Sequence, residues 1–316
     1  GDKMKKNNKV KIFLLALLVM LSTGCTKYVK DGNKSVIYEA TGQTLTANIL
    51  CKPVTEDLYN IYKENEDKLT NKLDELPDCN NFSVTDIKYV SLWESFFVKP
   101  LAWIILKVGE LVKNYGVAVM LISVLIRAIM IPLTKKSMAQ TENLKKAQPE
   151  INRLEKKYAN KTDNESLMAK SQETMMIYKK YNINPVSGCL TSFIQLPIFF
   201  AFLEAINRVP AIFEGTLFNM NLGMTPMTGF AHGNYIYIIL LLLIIGSTYV
   251  TFKFSMQSAG STEAERQMKM MSTFMIIMIS FASLSLPTAQ ALYWVVNNVF
   301  AIIQNLIVKK LMKVGK

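Results

Sequence analysis

Residues 119–131 read VMLISVLIRAIMI, an apolar stretch that contains one charged side chain, Arg127. Ser123 precedes Arg127 by four residues and therefore lies on the same face of the predicted helix. Arginine keeps its proton in proteins, and a charge at the centre of a bilayer costs at least about 2.5 to 3.5 kcal/mol on insertion scales. The stretch predicts a membrane helix whose arginine faces either a water-filled cavity or a partner group.

A second interpretation of Arg127 is that its long side chain snorkels to the inner membrane surface. Lys135 follows it by about two helical turns, which is within reach of that surface. The other predicted spans carry no acidic residue at a depth that matches Arg127. Glu204 lies in the second span, but near its outer end. Exposure to a cavity is therefore the favoured interpretation, with snorkelling as the alternative.

Five apolar stretches approach the roughly 20 residues that a helix needs to cross the hydrocarbon core. They are residues 115–133, 184–206, 234–254, 268–286 and 290–308. Basic residues collect between the first two stretches and after the last, and the positive-inside rule places both regions on the cytoplasmic side. The sequence predicts an all-α integral membrane protein with a five-span core, residues 113–310, and a cytoplasmic tail, residues 311–316.

A long basic insert follows the first predicted span. Residues 135–183 contain two helical patterns joined by a polar turn at residues 159–165, which predicts a cytoplasmic helical hairpin. The expected apolar seams are Ile151, Leu154 and Tyr158 on the first arm and Leu167, Ser171, Met175 and Tyr178 on the second. Nucleic-acid binding competes with this interpretation. Acidic residues are mixed into the insert and no nucleic-acid-binding motif is present, so no specific DNA contact is expected, whereas contact with ribosomal RNA stays open.

A shorter amphipathic segment precedes the first span. Residues 91–94 match a capping box, which predicts the start of a helix. The apolar residues that then recur at helical spacing are Trp93, Phe97, Leu101, Ile104 and Val108, and the charged residues that prevent a full span are Glu94, Lys99, Lys107 and Glu110. Residues 91–112 therefore predict an amphipathic helix that lies in the outer membrane interface.

The N-terminal region has the pattern of a bacterial export signal. A lysine-rich start and a short apolar segment predict a signal peptide over residues 1–24, with an added extension before Met4. Small residues before Cys25 predict lipidation of that cysteine, and a plain signal peptide with an incidental cysteine is the alternative. Residues 25–90 are then extracellular and polar, with no large core and a helix near residues 56–76. Cys51 and Cys79 lie in this oxidising compartment, where they could form a disulfide.

Polar side chains recur along one face of the fifth predicted span. They are Gln290, Trp294, Asn297, Gln304 and Asn305, while Thr191 and Gln195 share a face of the second span. Hydrogen bonding between helices explains any one of them. Taken together with an arginine in a membrane helix, they predict a hydrophilic groove. The predicted groove residues are Ser123, Arg127, Thr191, Gln195, Trp294 and Asn297.

Catalytic and metal motifs are missing from the sequence. His232 is the single histidine, and no cluster of histidine with cysteine suggests a metal site. No phosphate-binding loop, dinucleotide fingerprint or serine-nucleophile elbow is present. We therefore expect neither a cofactor nor an enzymatic activity.

Several motifs, in their order and spacing over residues 90–310, resemble those of the YidC family of bacterial membrane insertases. They are residues 114–116 (NYG), the Arg127 span closing in PLT at 132–134, QPE at 148–150, NP at 184–185 with GCL at 188–190, QLP at 195–197, and LYW at 292–294 with NN at 297–298. The lipidation pattern and the short extracellular segment are similar to the Gram-positive form of the family. Residues 26–90 carry little of the resemblance.

The resemblance implies a five-span core with a groove open to the cytoplasm and to lipid, in which Arg127 matches the groove arginine and Gln195 and Trp294 match positions nearby. It also implies a chaperone-like insertase for nascent membrane proteins in the bacterial plasma membrane. The ribosome, the Sec translocon and the receptor of the signal recognition particle are the expected partners, and the hairpin is the expected contact element. The N-terminal segment is expected outside and the C-terminus in the cytoplasm.

Two other functions compete with insertion. A small transporter or channel could use Arg127 as an anion site, but such proteins favour internal repeats and broken helices, and no repeat is visible. A surface lipoprotein with a simple anchor does not explain five apolar stretches.

The N-terminal pattern generates the first testable prediction. Mass spectrometry of the mature, membrane-bound protein is expected to find a diacylglycerol with palmitate-class chains on Cys25, now the first residue, because acyl burial contributes about 0.8 kcal/mol per CH₂ to membrane affinity. A Cys25→Ala variant should lack the modification. An unmodified Cys25, or cleavage at another position, would contradict lipidation and leave the predicted spans untouched.

Overall fold

A computed structural model of the chain describes residues 26–256 and 262–314, except for the side chains at positions 141, 185–194, 255–256, 262–269, 271–272 and 308–314. Helices dominate this part of the chain. The chain divides into two compact units. Among the described residues, one unit comprises residues 26–122, Pro197–Leu240 and Leu284–Tyr293, and the other comprises Ser123–Leu196 with the described residues of 241–283 and 294–314. We call the first the outer unit and the second the inner unit, after the topology that the charge pattern predicts.

The outer unit begins with short elements of secondary structure. Strands β1 (Lys30–Asp31) and β2 (Lys34–Ser35) pair antiparallel, as do β3 (Ile37–Tyr38) and β4 (Gln43–Thr44). Helix α1 (Glu56–Glu64) follows, and its acidic first turn and basic last turn both match the helix dipole. Three 3₁₀ turns, Glu66–Lys68, Leu73–Glu75 and Cys79–Asn81, come next. The helix expected near residues 56–76 therefore ends earlier than predicted.

The segment of residues 26–90, which the sequence predicts to be extracellular, has a buried core, contrary to the expectation from its polarity. Leu50, Leu58 and Tyr62 are fully buried, and burial raises the pKa of the Tyr62 phenol above its usual value. A disulfide joins Cys51 to Cys79, whose Cα atoms lie 4.9 Å apart. The segment shares its core with the rest of the outer unit: the Leu50 N–H donates to the carbonyl of Arg208, and the Thr46 hydroxyl donates to the carbonyl of Asn207, each at 2.8 Å. These long-range bonds do not show in the local composition.

A π-helical turn, Glu94–Val98, leads into helix α2 (Lys99–Val112), which ends where Lys113 takes a left-handed conformation with φ of 57°. The face predicted to contact the membrane packs instead within the outer unit, because Trp93 and Leu101 are buried. The opposite face carries exposed apolar residues, namely Leu92, Phe96, Trp103 and Leu111. The periodicity thus predicted the helix correctly but assigned the wrong face to the outside.

Helices occupy all five predicted spans. They are α3 (Tyr115–Ile129), α6 (Pro185–Arg208), α9 (Ile236–Met256), α10 (Thr262–Ser283) and α11 (Thr288–Val314). Helices α4 (Ile131–Tyr158) and α5 (Asn164–Lys180) lie between the first two of these helices. Helix α7 (Pro210–Phe213), strands β5 (Thr216–Leu217) and β6 (Met220–Asn221) and helix α8 (Pro226–Ala231) connect α6 to α9.

One helix in the described part of the chain, over Ile236–Phe254, is long and apolar enough to cross a membrane on its own. A second qualifies if α3 and α4 are counted as one broken span, bent by 55°. The bend lies at Met130, just before Pro132, whose ring disfavours a continuous helix one turn back. The count of five spans stays a prediction.

The predicted hairpin is formed by α4 and α5, with Asp163 capping α5 by accepting from the Ser166 N–H. Leu154 and Tyr158 are buried, as their seam requires. The second seam was wrong, since Leu167 and Met175 are 51% and 52% exposed. Helix α5 instead turns Glu173 towards α4, where this carboxylate bonds to Lys157 and Tyr158, and these polar bonds fix a register that apolar spacing alone does not predict.

A cluster of buried charges connects the segments of the outer unit. The guanidinium of Arg208 lies 2.5 Å from a Glu94 carboxylate oxygen and 3.4 Å from one of Glu204. Lys99 lies 3.5 Å from the other Glu94 oxygen, and the Trp93 indole N–H donates to Glu204 at 2.8 Å. From the sequence, Glu94 and Lys99 were expected only to interrupt a membrane span. The structure buries and pairs them.

The buried cluster generates the second prediction. Arg208→Ala is expected to lower the free energy of unfolding by about 3 to 5 kcal/mol, because it leaves buried carboxylates without a compensating charge. Urea-dependent unfolding in detergent micelles measures this change. Lys68→Ala, which removes a partly exposed partner of Asp31 at 3.6 Å, is the matched control and should cost no more than about 1 kcal/mol. Equal and small losses in both variants would contradict the role of the cluster.

Candidate functional site

Arg127 lies near the end of α3 and is half-buried in the inner unit. Its Nε donates a hydrogen bond to the Oδ1 of Asn297 at 2.6 Å. Asn297 lies on α11 and is only 5% exposed. The side chain of Arg127 is therefore directed at a polar group on a neighbouring helix, and a bond to an amide leaves the charge of the guanidinium in place.

More polar contacts connect α11 with α9. The indole N–H of Trp294 donates to the Thr248 hydroxyl at 3.0 Å. The side-chain amide of Asn298 donates to the same hydroxyl at 3.0 Å and to that of Ser247 at 3.2 Å. Further along α11, the Gln304 amide donates to the Thr134 hydroxyl on α4. Helix α11 thus presents polar groups to both α9 and α4.

The structure brings most of the predicted groove residues into the inner unit. Ser123 is fully buried one turn before Arg127, Trp294 and Asn297 lie on α11, and Gln195 is half-buried on α6. The Thr191 side chain and Cys25 lie outside the described residues. Ser247 and Thr248 were not predicted from the sequence, and Asn298 was noted only as part of the motif at 297–298 and not as a groove residue. A Ser-Thr pair in the middle of the most apolar helix was the signal that could have indicated the first two.

The outward faces of the same helices are apolar. The exposed apolar residues of the inner unit include Val124 and Leu125 on α3, Leu242 on α9 and Ile303 on α11. A large apolar surface of this kind is unfavourable in water and favourable in lipid. In the part of the chain that the structure describes, no group of three acidic, histidine or cysteine side chains could hold a metal ion.

Two reciprocal contacts hold the arms of the hairpin together. Glu150 on α4 accepts from the Lys180 ammonium at 2.6 Å and from the Tyr181 hydroxyl at 2.8 Å. Glu173 on α5 accepts from the Lys157 ammonium at 2.7 Å and from the Tyr158 hydroxyl at 2.8 Å. In each contact a Lys-Tyr pair of one arm holds a glutamate of the other. We call these contacts the hairpin clamps.

The hairpin clamps change the pKa of the groups in them. Hydrogen bonds from Lys180 and then Tyr181 lower the pKa of Glu150, and bonds from Lys157 and then Tyr158 lower that of Glu173. The same bonds raise the pKa of Lys180 and Lys157. Each clamp is therefore complete only where its glutamate is ionised and its lysine is protonated.

Comparison with known proteins shows the family. The model of the 60Kd inner membrane protein family matches residues 107–315. The chain belongs to the YidC insertase family. Within the family, it is 35% identical over 217 residues to membrane protein insertase YidC 2 of Listeria innocua, covering 68% of this chain and 71% of that protein. It is also 35% identical over 218 residues to membrane protein insertase MisCA of Bacillus subtilis, covering 69% and 79% of the two chains.

A solved structure has the same fold as this YidC family member. It is described as an active YidC insertase with the first transmembrane domain resolved, and the TM-score is 0.50 at 24% identity. The comparison covers 80% of this chain and 50% of the other, so the chain spans about half the length of that protein. The resemblance stated from the sequence motifs is confirmed at the level of the family.

The hairpin clamps generate the third prediction. A glutamate whose folded pKa is lowered stabilises the fold above its unfolded pKa, near 4.5, and loses that contribution as pH falls through the folded value. A lysine whose folded pKa is raised contributes below about 10.5 and loses the contribution as pH rises through its folded value. The protection of the α5 amides, measured as the intrinsic exchange rate at each pH divided by the observed rate, is therefore expected to be highest between these limits and to fall outside them.

Matched variants test the clamps at neutral pH. Glu150→Gln and Glu173→Gln should each accelerate exchange in α5, because an amide keeps the shape but loses the charge. Glu155→Gln changes a carboxylate on α4 that is outside both clamps and should leave exchange unchanged. Equal exchange in all three variants would show that apolar packing alone holds the arms together.

Proposed function

We propose that the chain inserts nascent membrane proteins into the bacterial plasma membrane through a polar, positively charged groove in its inner unit, and assists their folding there as a chaperone. The observation that carries the proposal is the bond from Arg127 to the buried Asn297 amid helices that are apolar on the outside. The names of the relatives, membrane protein insertases, support the same activity.

The groove would act by lowering the barrier for the polar part of a substrate. An acidic or polar segment is costly to bring into hydrocarbon because it loses its hydration. A fixed guanidinium with buried amide and hydroxyl groups nearby replaces part of that hydration, and the attraction is strong where water is sparse. The apolar part of the substrate then moves into lipid, where burial of its surface completes insertion.

The direction of the Arg127 side chain supports this proposal over snorkelling. A snorkelling arginine extends towards the membrane surface and bonds to water or lipid phosphate. Here the guanidinium bonds to an amide that is 5% exposed on a neighbouring helix. The alternative of a small-anion transporter has no structural observation in its favour beyond the same charge.

The remaining elements have roles that follow from the topology. We place the lipidated Cys25 and the extracellular segment outside, α2 in the outer interface through its exposed residues Phe96 and Trp103, and the hairpin and C-terminus in the cytoplasm. The hairpin carries exposed basic residues, which suit contact with the ribosome, the Sec translocon or the receptor of the signal recognition particle.

Substitutions of Arg127 test the groove and form the fourth prediction. Arg127→Lys should keep much of the insertion activity, because an ammonium supplies the charge and one donor for Asn297. Arg127→Ala and Arg127→Glu should lose activity, most for substrates with acidic translocated tails. If the arginine offsets about half of the 2.5 to 3.5 kcal/mol cost of a charge in lipid, the loss in rate is about tenfold. The measurement is insertion into vesicles, with substrates that differ only in tail charge.

Lys253→Ala is the matched control, because it removes an exposed positive charge from the same unit without touching the groove. It should insert both substrates normally. Normal insertion by all Arg127 variants would indicate snorkelling, and loss of an anion flux with insertion untouched would indicate a transporter. Full activity of Arg127→Glu on an acidic tail would contradict the groove mechanism.

A further inference from the structure

The β5–β6 hairpin ends in an unusual two-residue turn. Phe218 and Asn219 both have positive φ, 50° and 59°, between the paired residues Leu217 and Met220. Two-residue hairpins prefer such turns, but with glycine, asparagine or aspartate in them. Asn219 fits this preference. A bulky aromatic residue at positive φ is a backbone outlier that the rest of the structure must compensate.

Burial of its own side chain does not offset the strained conformation of Phe218. Its side chain is 69% exposed, whereas the flanking Leu217 and Met220 are buried. An asparagine or glycine would fit the same turn without strain and without exposing an aromatic ring. The benefit of phenylalanine at the tip is therefore expected to come from a contact outside the chain.

Two asparagines fix the position of the tip relative to the ends of two helices. The Oδ1 of Asn114 accepts from the Val117 N–H at the start of α3, and its Nδ2 donates to the carbonyl of Thr216 at 3.0 Å. The Oδ1 of Asn234 accepts from the Ile236 N–H at the start of α9, and its Nδ2 donates to the carbonyl of Asn219 at 3.2 Å. Each asparagine caps a helix with one atom and holds the β5–β6 hairpin with another.

The start of α9 serves as a depth marker for the tip. The apolar span begins at Ile236, so Asn234 marks the level at which the chain enters the hydrocarbon core from the outside. Because Asn234 bonds to Asn219, the neighbouring Phe218 lies at about the same level. Tyr235, next to Asn234, is 72% exposed, and aromatic residues are enriched at this level of membrane proteins.

We infer that the tip of the β5–β6 hairpin is an anchor that inserts Phe218 into the outer phospholipid interface, alongside Tyr235. The occupant is the boundary between headgroups and acyl chains, which accepts an aromatic ring without requiring a shaped pocket. The anchor would hold the outer ends of α3 and α9 at a fixed depth. This inference rests on the proposed topology, in which the chain spans the membrane with the start of α9 outside, and it is independent of the proposed groove.

Photocrosslinking of the full-length chain tests the anchor. Benzoylphenylalanine replaces Phe218 in protein reconstituted into vesicles of phosphatidylethanolamine and phosphatidylglycerol, and mass spectrometry detects adducts after irradiation. The same replacement at Leu242, 63% exposed on α9, is the reference for lipid contact. Replacement at Ile37, 52% exposed on β3, is the reference for an exposed apolar residue that these asparagines do not hold.

We expect the yield of phospholipid adducts at position 218 to be comparable to the yield at position 242. The yield at position 37 should be much lower than either. A yield at 218 no higher than at 37, with 242 reacting, would overturn the anchor. A crosslink from position 218 to another protein in native membranes would overturn it as well, in favour of a protein-docking tip. Insertion activity does not enter this readout, so failure of the groove mechanism leaves the result interpretable.

Discussion

The constraint on which the inner unit depends is a permanent charge within an apolar helix. Arg127 cannot lose its proton, so the chain must supply polar groups at its depth, and α11 does so with Asn297. The same requirement applies to Trp294, Asn298 and Gln304 on the same helix, whose polar groups also need hydrogen-bond partners. Hydroxyl groups on α9 and α4 provide these partners. A helix that carries so many polar groups has a low mean hydropathy.

Two buried or half-buried arginines are accommodated in opposite ways. Arg208 in the outer unit lies between the carboxylates of Glu94 and Glu204, which neutralise it and make it a structural link. Arg127 in the inner unit bonds through Nε to a neutral amide. A carboxylate at the position of Asn297 would satisfy the hydrogen bond equally well but would cancel the charge that an acidic substrate segment is proposed to meet. Asn297 thus holds the guanidinium through a group that does not itself neutralise the charge.

Local patterns in the sequence predicted the helices well, because amphipathic and apolar periodicity reflects which residues a helix buries. These patterns predicted the five long helices and the hairpin. They also predicted the candidate residues Arg127, Asn297 and Trp294. The contacts between them were not predicted. Arg127 and Asn297 are separated by 170 positions, and nothing in either local pattern identifies the other as its partner. The same reason explains the errors. Trp93, just before the turn that leads into α2, is buried with its indole N–H donating to Glu204 on a distant helix, and the register of α5 is set by the hairpin clamps.

The position of Arg127 along α3 determines how deep in the membrane the proposed groove would present its charge. Asn114 marks the end of α3 that lies outside in the proposed topology, and Arg127 comes twelve residues after the first helical residue, Tyr115. At 1.5 Å per residue the Cα of Arg127 lies about 18 Å from that end. If that end marks the boundary of a hydrocarbon core about 30 Å thick, Arg127 lies beyond the middle of the core. An acidic segment that arrives from the cytoplasm would then meet the charge after crossing only about 12 Å of the core. Because the desolvation cost grows with the depth reached before any polar contact, an arginine in the inner half lowers the barrier where the substrate first encounters it.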